Sequence, residues 1–429
     1  MNDLTFNFEV IESKKDIDIG ILIYDSTYIN FLKLQNEKYY KIDSQTKLTD
    51  LIKNGDYTQV STNPAISTFE DFLRLATTTT GPYTAVYQKA RKVNFYNNFL
   101  LDCSHYNFNI ILINCTTSET AAIKKAFTEN KIKTFCYDPL KIEISNDLKT
   151  IIKDKKCPII FNSLNKINKL LETSYVESNR IASAIALDEL SIRNFDDEAF
   201  QTLTYSIAGL KKKFAYYRAS GISDSDKKLI PIPLVSDAMG CFSRSFSTIP
   251  WLPPAGYVRG KLLNQDFETL QNPTSSFIIE GIIPSTPSNL NNLEAVYDKG
   301  LNIPIEIFGP DNIKAFYINS DVSGYTGSAF PLKQSISYSN LIFDVINNIQ
   351  YILNSSLFEF NDESTRNFIK NRIDQYFQFT KANSGIDDFV VICDSSNNTE
   401  TDYINRKINV DVSIKPSQSI NFVELSFTT

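Results

Sequence analysis

Few residues of this 429-residue chain have the side-chain chemistry that catalysis or metal binding usually requires. The one histidine, His105, follows Cys103 by two positions, so the two side chains can share one face of a strand. That spacing would suit a thiol nucleophile with an imidazole base. We favour an ordinary strand end, because serine- or cysteine-based triads and most transition-metal sites would all have to use this single imidazole.

Phosphate-binding and nucleophile motifs are also missing. The sequence contains neither a P-loop of the G-x-x-x-x-G-K-[ST] type nor a G-x-G-x-x-G dinucleotide loop. The tract Ser323-Gly324-Tyr325-Thr326-Gly327-Ser328 has two glycines around polar residues but lacks G-x-S-x-G order, which indicates a loop. The inventory predicts a protein that is not an enzyme, with no catalytic residues, no cofactor and no metal.

Composition excludes several other classes. A hydrophobic content of 42% supplies real cores, and 49 acidic against 43 basic residues give a net charge of -6, too mild to indicate a polyanion partner. The six cysteines form no C-x-x-C pair, which fits a reducing cytosol. Residues 1–3 open without a signal peptide, and no apolar run approaches the ~20 residues of a membrane span, so we expect no membrane insertion.

One basic and aromatic tract, residues 211–218, has two interpretations. Lysines interleaved with aromatic rings would suit phosphate contacts and base stacking. We favour a basic helix end, which complements the helix dipole, and therefore expect no nucleic-acid partner.

The N-terminus begins with a strand pattern. Leu4, Phe6, Phe8 and Val10 alternate with polar residues, which predicts a half-buried strand. The charged run Lys14-Lys15-Asp16 then separates it from a second strand pattern. This break predicts a hinge between an arm and a body.

The middle of the chain has the alternation of strands and helices typical of an α/β body from about residue 100 to residue 300. Around residues 249–256, three prolines with the chain's single tryptophan predict a stiff, buried loop. Patterns that predict strands cover residues 17–24, 109–115, 132–137 and 157–161, and patterns that predict helices cover residues 121–130, 181–190 and 203–217.

The last hundred residues predict two helices and a small sheet. Leu341 and Val345 begin a helical apolar stripe, and Asn361 or Asp362 can cap a second helix that Gly385 closes. Strand patterns cover residues 389–393 and 408–414, with Pro416 as the terminator. A final apolar run contains Ile420, Phe422, Val423, Leu425 and Phe427, as in a strand with a bulge or with two buried faces.

A family resemblance rests on the order of several segments from about residue 205 to residue 429. The segments of the middle region are Phe214-Ala215-Tyr216-Tyr217, Val235-Ser236-Asp237-Ala238-Met239-Gly240-Cys241-Phe242-Ser243-Arg244, residues 251–256 and Gly300-Leu301-Asn302. Those of the C-terminal region are Phe358-Glu359-Phe360-Asn361-Asp362, Phe389-Val390-Val391-Ile392-Cys393-Asp394, Asn397-Asn398-Thr399, residues 408–416 and Phe422-Val423-Glu424. In this order and spacing the segments resemble the second half of a contractile phage tail sheath protein.

Three departures limit what the resemblance carries over. The family's Trp-Gly-Ala-Arg-Thr-Leu segment and later double-arginine helix correspond here to Ile313-Lys314-Ala315-Phe316-Tyr317 and Tyr338-Ser339-Asn340-Leu341-Ile342. The family's Pro-Gly-Val opening is absent as well. Contacts of the family's arginines are therefore not transferred, and the N-terminal half is interpreted by pattern alone.

The resemblance implies an α/β (α+β) fold: an α/β body, a C-terminal domain of helices on a small sheet, and terminal strands exchanged between protomers. On the second C-terminal helix, the spacing of Arg366, Lys370 and Asp374 predicts a polar face separate from the apolar face of Ile369, Ile373 and Phe377. The resemblance implies that this polar face meets the tail tube, and a plain solvated face stays open as the alternative. The implied division is residues 1–16 as an N-terminal arm, 17–100 as an N-terminal outer or variable region, 100–330 as the α/β middle domain, 331–415 as the C-terminal sheath domain, and 416–429 as a C-terminal arm.

The implied function is that of a structural subunit in a virion. Hexameric rings of the subunit would stack around a tail tube, connect through the exchanged terminal strands, and contract to drive the tube through the host envelope. The implied partners are other copies of the chain, the tube protein, and baseplate and tail terminator proteins, with assembly in the host cytoplasm. A tailocin or other contractile injection system, a carbohydrate-binding module and an α/β-hydrolase-like enzyme stay open as alternatives.

Overall fold

The computed structural model describes residues 18–23, 38–42, 109–114, 119–136, 144–162, 197–207, 210–215, 228–233, 235–246, 249–262, 277–283, 297, 300–302, 304–308, 314–325, 327 and 331–418. Both terminal strand patterns, with Leu4, Phe6, Phe8 and Val10 at one end and residues 420–427 at the other, lie outside these ranges. The pair Cys103 and His105 and the predicted helix over residues 181–190 also lie outside them.

Fourteen strands and eight helices are found in the described residues. The strands are β1 (Asp18–Ile23), β2 (Lys38–Ile42), β3 (Asn109–Asn114), β4 (Ile132–Cys136), β5 (Ile159–Asn162), β6 (Thr204–Ile207), β7 (Leu210–Ala215), β8 (Lys228–Pro233), β9 (Phe277–Ile283), β10 (Leu301–Asn302), β11 (Pro304–Phe308), β12 (Lys314–Ile318), β13 (Ile386–Ile392) and β14 (Asp411–Pro416). The helices are α1 (Glu119–Glu129), α2 (Asn146–Lys155), α3 (Glu198–Gln201), α4 (Val235–Phe246), α5 (Gly256–Arg259), α6 (Ile336–Asn354), α7 (Glu363–Ala382) and α8 (Glu400–Ile404). None of these described helices is both long enough and apolar enough to cross a bilayer.

The body is built on a seven-stranded sheet in the order β10-β6-β5-β4-β1-β3-β2. Every neighbouring pair is parallel except β2 and β3, so an antiparallel strand closes one edge. The predicted succession of strand, helix and strand is confirmed in β3, α1 and β4, although β1 lies between the two strands. An interior strand of the sheet, β1, therefore comes from the N-terminal region, residues 18–23.

The core of the body lies between this sheet and helices α1 and α2. Isoleucines of the strands and apolar residues of both helices form one buried cluster, with Phe127 and Phe135 in ring contact at 5.7 Å. Ser145 caps α2 by accepting a hydrogen bond from the Leu148 backbone at 3.2 Å. The α/β expectation for the middle of the chain is thus confirmed.

The helix expected over residues 203–217 is wrong. This segment forms β6 and then β7, the central strand of an antiparallel sheet ordered β8-β7-β9. All four residues of β6, Thr204–Ile207, are buried. A helix with one buried face would leave some of four consecutive residues exposed, whereas a strand covered on both faces buries all of them. The lysines at positions 211–213 therefore belong to a strand, and the interpretation of this tract as a basic helix end is wrong too.

The C-terminal region contains α6 and α7 packed on the antiparallel pair β13 and β14. Both predicted helices are confirmed, and Asp362 caps α7 by accepting a hydrogen bond from the Thr365 backbone at 2.8 Å. The strand pattern over residues 408–414 begins later than expected, at Asp411. Asn398 causes this shift, because its side-chain amide bonds both the N–H and the C=O of Asn409 in place of a ladder partner.

Candidate assembly interface

The sheet of β13 and β14 in the C-terminal region has only two strands among the described residues. The two strands pair with each other from Ile386↔Pro416 to Ile392↔Asp411, and within the described residues neither has a second neighbour. A two-stranded sheet with both edges open presents rows of unpaired backbone groups. Such a sheet is chemically suited to accept further strands from another chain.

One face of this sheet is anchored and the other is exposed. Phe389 and Val391 pack on the helices, and Phe389 contacts the ring of Phe377 at a centroid distance of 5.2 Å. On the other face Val390 and Ile392 are exposed. The anchored face fixes the direction of both strands, so an added strand would meet a preformed template.

A hydrogen bond between the two long helices stiffens this template. The Tyr376 hydroxyl donates to the Asp344 carboxylate at 2.9 Å, and Asn348 donates to the same carboxylate at 3.1 Å. Burial, followed by the neighbouring Asp344 charge, raises the pKa of Tyr376 well above its usual range. The hydroxyl therefore keeps its proton, and α7 stays bonded to α6, at any physiological pH.

Trp251 connects the body to the C-terminal domain. Its side chain is 6% exposed and joins the apolar cluster of α6, α7 and β13. The indole N–H donates to the Asn383 carbonyl at 3.2 Å, and the ring meets Phe379 edge-on at 6.4 Å. A side chain at Gly385 would place its Cβ 2.8 Å from the indole nitrogen, so the close approach requires glycine there. The predicted loop is confirmed, but only Trp251 and Pro254 in it are buried and the other residues are half-buried. The insertion of Trp251 into another domain was not predicted.

Asn302 forms a second connection, at the edge strand β10. Its side chain donates to the carbonyls of Ser206 and Val322 at 3.0 and 2.8 Å, and accepts from the Ser320 hydroxyl and the Val322 N–H, both at 2.8 Å. Every donor and two acceptor positions of the buried amide are thus used. Asp321, which lies inside this network, accepts from the Ser335 hydroxyl at 2.6 Å, and Ser335 caps α6. A chain of hydrogen bonds therefore runs from the body sheet to the first C-terminal helix.

The three residues predicted to face a tube lie beside the buried side of α7. Arg366, Lys370 and Asp374 are half-buried, and Arg366 donates to the Asn361 side chain at 2.8 Å. At 100° per residue, positions 366 and 370 fall at nearly the same angle as the core residues Ile373 and Phe377. The prediction of a polar face separate from the apolar face is therefore wrong. The contact of these residues with a tube stays a prediction, because their position in the subunit does not test it.

An exposed apolar end of the domain was missed by sequence reasoning. Leu357, Phe358 and Phe360 lie in the α6–α7 connection, and Tyr403 and Ile404 lie in α8, all largely exposed. Asn361 ties the two segments together by donating to the Lys407 carbonyl at 2.9 Å. These residues follow no helix or strand period. The sequence feature that could have indicated an exposed apolar surface is the run Leu357-Phe358-Glu359-Phe360 between two predicted helices.

Comparison with protein families identifies the C-terminal region. Residues 331–428 match the family described as phage tail sheath C-terminal domain. The tail sheath protein of Vibrio phage KVP40 is 28% identical over 199 residues, which cover 46% of this chain and 26% of that protein. The tail sheath protein of Enterobacteria phage T4 is 28% identical over 200 residues, which cover 46% of this chain and 27% of that protein.

Solved structures extend the likeness to nearly the whole chain at the level of the fold. A chain of the anti-feeding prophage baseplate matches with a TM-score of 0.55 and 12% identity, over 97% of this chain and 94% of that chain. A chain of the PVC contractile injection system sheath in its contracted state matches with a TM-score of 0.52 and 13% identity, over 96% and 91%. These matches agree with the α/β architecture.

Proposed function

Because this chain belongs to the contractile phage tail sheath family through its C-terminal domain, we propose that it is the sheath subunit of a contractile tail. In this proposal the subunits polymerise as stacked hexameric rings around a tail tube. Contraction of the stack drives the tube through the host cell envelope. The protein is then a component of the virion, assembled in the host cytoplasm.

The observation that carries this proposal is the open sheet of β13 and β14. β14 ends at Pro416, shortly before the alternating apolar run of residues 420–427. A run of this kind can add to an open edge of a neighbouring subunit through main-chain hydrogen bonds, with alternate side chains setting the register. The N-terminal run with Leu4, Phe6, Phe8 and Val10 supplies a second candidate strand for the other edge. Exchange of both would link each subunit to its neighbours.

Contraction requires subunits that move as rigid units while the linking strands bend. Trp251 and the Asn302 network fasten the body to the C-terminal domain, so a shift of one part would be passed to the other. If each subunit favours the contracted packing by about 2 kcal/mol, coupled rings add this bias along the stack. The mechanism needs no nucleotide hydrolysis.

Assembly of the purified chain tests this function. We expect rings or tubes in electron micrographs at high protein concentration, because open sheet edges favour association over the monomer. Removal of residues 420–429 is expected to abolish connected tubes, and removal of residues 1–11 to leave a folded subunit whose rings do not connect. Circular dichroism of both truncated chains provides the control for folding. Sedimentation of the full chain as a monomer at all concentrations and salt conditions would contradict the proposal.

Arg366, Lys370 and Asp374 are proposed to contact the tube. Arg366 already holds Asn361, so the test uses the charge reversals Lys370→Glu and Asp374→Lys. We expect these changes to weaken assembly around a tube about tenfold while tube-free polymerisation stays unchanged, since like charges across an interface are repulsive. The matched control is Gln375→Glu on the exposed side of the same helix. Equal tube-bound assembly of the reversed and unmodified chains would remove this assignment.

A sheath of a tailocin or of a contractile injection system is a second candidate. The fold matches to chains of the anti-feeding prophage baseplate and of the PVC sheath complex favour it. The subunit would assemble and contract in the same way in either particle. Particles isolated from the producing cell distinguish the two, because a phage carries a DNA-filled head and an injection device does not.

A further inference from the structure

A basic cleft lies between the body and the C-terminal domain. It has a volume of about 620 Å³, and one wall carries Lys131 after the end of α1, Lys133 on β4, and Lys155 and Lys156 at the end of α2. The opposite wall is the side of α6 that bears Phe343 and Tyr351, and the Tyr351 side chain is 68% exposed. The lining includes two acidic residues, Glu129 and Asp344, against these four lysines. The cleft is thus locally positive in a chain whose net charge is -6.

An acidic knob with large apolar side chains lies at the far end of α6. We define it as residues 357–363, in which Leu357, Phe358 and Phe360 are 61%, 103% and 85% exposed. Glu359 and Glu363 are exposed beside them, and Asp362 adds a third negative charge. Hydrogen bonds to the Thr365 backbone lower the pKa of Asp362, so this carboxylate is ionised at neutral pH.

The knob is held in one conformation although the rings of Phe358 and Phe360 are largely exposed. Phe358 has φ of 71°, in the left-handed region that costs energy for a residue with a Cβ. The backbone of Glu359 donates to the Ser356 carbonyl at 3.4 Å, and the Asn361 side chain donates to the Lys407 carbonyl at 2.9 Å. A strained and tethered segment that directs an aromatic ring into solvent is a preorganised contact surface.

We propose that the acidic knob of one copy of this chain docks into the basic cleft of a neighbouring copy. The two surfaces are complementary in charge, and each has aromatic side chains that would be covered on contact. The cleft volume lies within the range of pockets that enclose a drug-sized molecule, which leaves space for large side chains. Because knob and cleft are different surfaces, the contact is head-to-tail and repeats without closing on itself unless the rotation forms a ring. The proposal rests on the proposed function, since it assigns a subunit contact within the sheath.

A charge exchange between two chains tests this contact. The knob-reversed chain carries Glu359→Lys and Glu363→Lys, and the cleft-reversed chain carries Lys131→Glu and Lys155→Glu. Alone, each chain sets like charges against each other, so we expect association at least about tenfold weaker in sedimentation experiments. Mixed in equal amounts, the positive knob meets the negative cleft and the unmodified knob meets the unmodified cleft. We therefore expect the mixture to associate as strongly as the original protein, within about threefold.

Matched controls separate this effect from general changes in charge or folding. Lys124→Glu with Lys125→Glu reverses two exposed lysines of α1 outside the cleft, and Glu400→Lys reverses an exposed acid of α8 outside the knob. Both controls should associate normally, and all the chains should melt within a few degrees of the original. Recovery in the mixture alone supports the contact, because a folding defect is not repaired by mixing.

Two results would overturn the inference: normal association of either reversed chain alone, or failure of the mixture to recover. The sheath function is judged separately from tubes in electron micrographs. If the reversed chains form tubes, the sheath function is retained and the contact between knob and cleft is rejected. Knob-dependent association without tubes would retain the contact and argue against the sheath.

Discussion

Replacing Trp251 with alanine is expected to lower the free energy of unfolding of the C-terminal domain by about 3–5 kcal/mol, the usual loss for a buried aromatic residue. The side chain is almost fully buried between Gly385 and Phe379 and bonds the Asn383 carbonyl. Its removal leaves a cavity and also detaches the loop of residues 249–256 from the domain. We therefore expect the variant to unfold in two separate transitions when urea unfolding is measured by circular dichroism. In the original chain the body and the C-terminal domain should unfold closer together.

The matched variant for this prediction is Trp251→Phe. It keeps an aromatic ring against Phe379 but leaves the Asn383 carbonyl without its donor, so a smaller loss of about 1–2 kcal/mol is expected. A change of less than about 1 kcal/mol for Trp251→Ala would mean that the two parts are held together by other contacts. In the proposed sheath, contraction of assembled tubes should fall with the loss of coupling, because movement would no longer be transmitted between the two parts of the subunit.

Replacing Asn302 with aspartate is expected to destabilise the chain by about 3–5 kcal/mol at pH 7. The substitution keeps the shape but puts an ionised oxygen against the Ser206 and Val322 carbonyls, which now accept hydrogen bonds from the amide. Burial among carbonyls would raise the folded-state pKa of the new carboxyl above its unfolded value of about 3.9. Because the pKa of the carboxyl is higher in the folded state, the full loss in the free energy of unfolding applies at neutral pH. The loss becomes smaller as the pH falls through the folded-state pKa and the carboxyl is protonated.

The measurement is urea unfolding at pH 7 and at pH 5, with the original chain measured under the same conditions. Asn302→Ala should cost about 2–4 kcal/mol at both values, because it removes the same bonds without adding a charge. Asn371→Ala, on the exposed side of α7, should change stability by no more than about 0.5 kcal/mol. Equal stability of Asn302→Asp and the original chain at pH 7 would contradict the role given to this network.

These two connections place the candidate assembly interface on a rigid support. The open edges of β13 and β14, the knob and the cleft all belong to, or border, the C-terminal domain. Trp251 and Asn302 fasten this domain to the seven-stranded sheet by different means, an apolar insertion and a hydrogen-bond network. In the proposed sheath, a subunit held in this way would pass displacement to its neighbours without unfolding.

Local patterns were sufficient to predict the elements whose burial follows one period. Val345 and Ile373 lie in helices α6 and α7, whose apolar residues recur every three or four positions, and both helices formed where predicted. The strand β1 and the sequence β3, α1, β4 followed from short apolar runs and helix-forming residues. The order of segments in the C-terminal region also indicated the sheath family, because each segment keeps its type and spacing.

Only the tertiary structure decided the remaining features, because they depend on contacts between residues far apart in the chain. All four residues of β6, which lies between β5 and β10, are buried, so its sequence has no period that distinguishes a strand from a helix. Trp251 enters a core 90 or more residues further along, and Asn302 bonds groups on β6 and on the segment before α6. The half-buried position of Arg366 and the exposure of Phe358 likewise depend on how α6, α7 and their connections pack. Sequence periodicity describes what one element buries, whereas the partner that covers it is chosen by the packing of the whole chain.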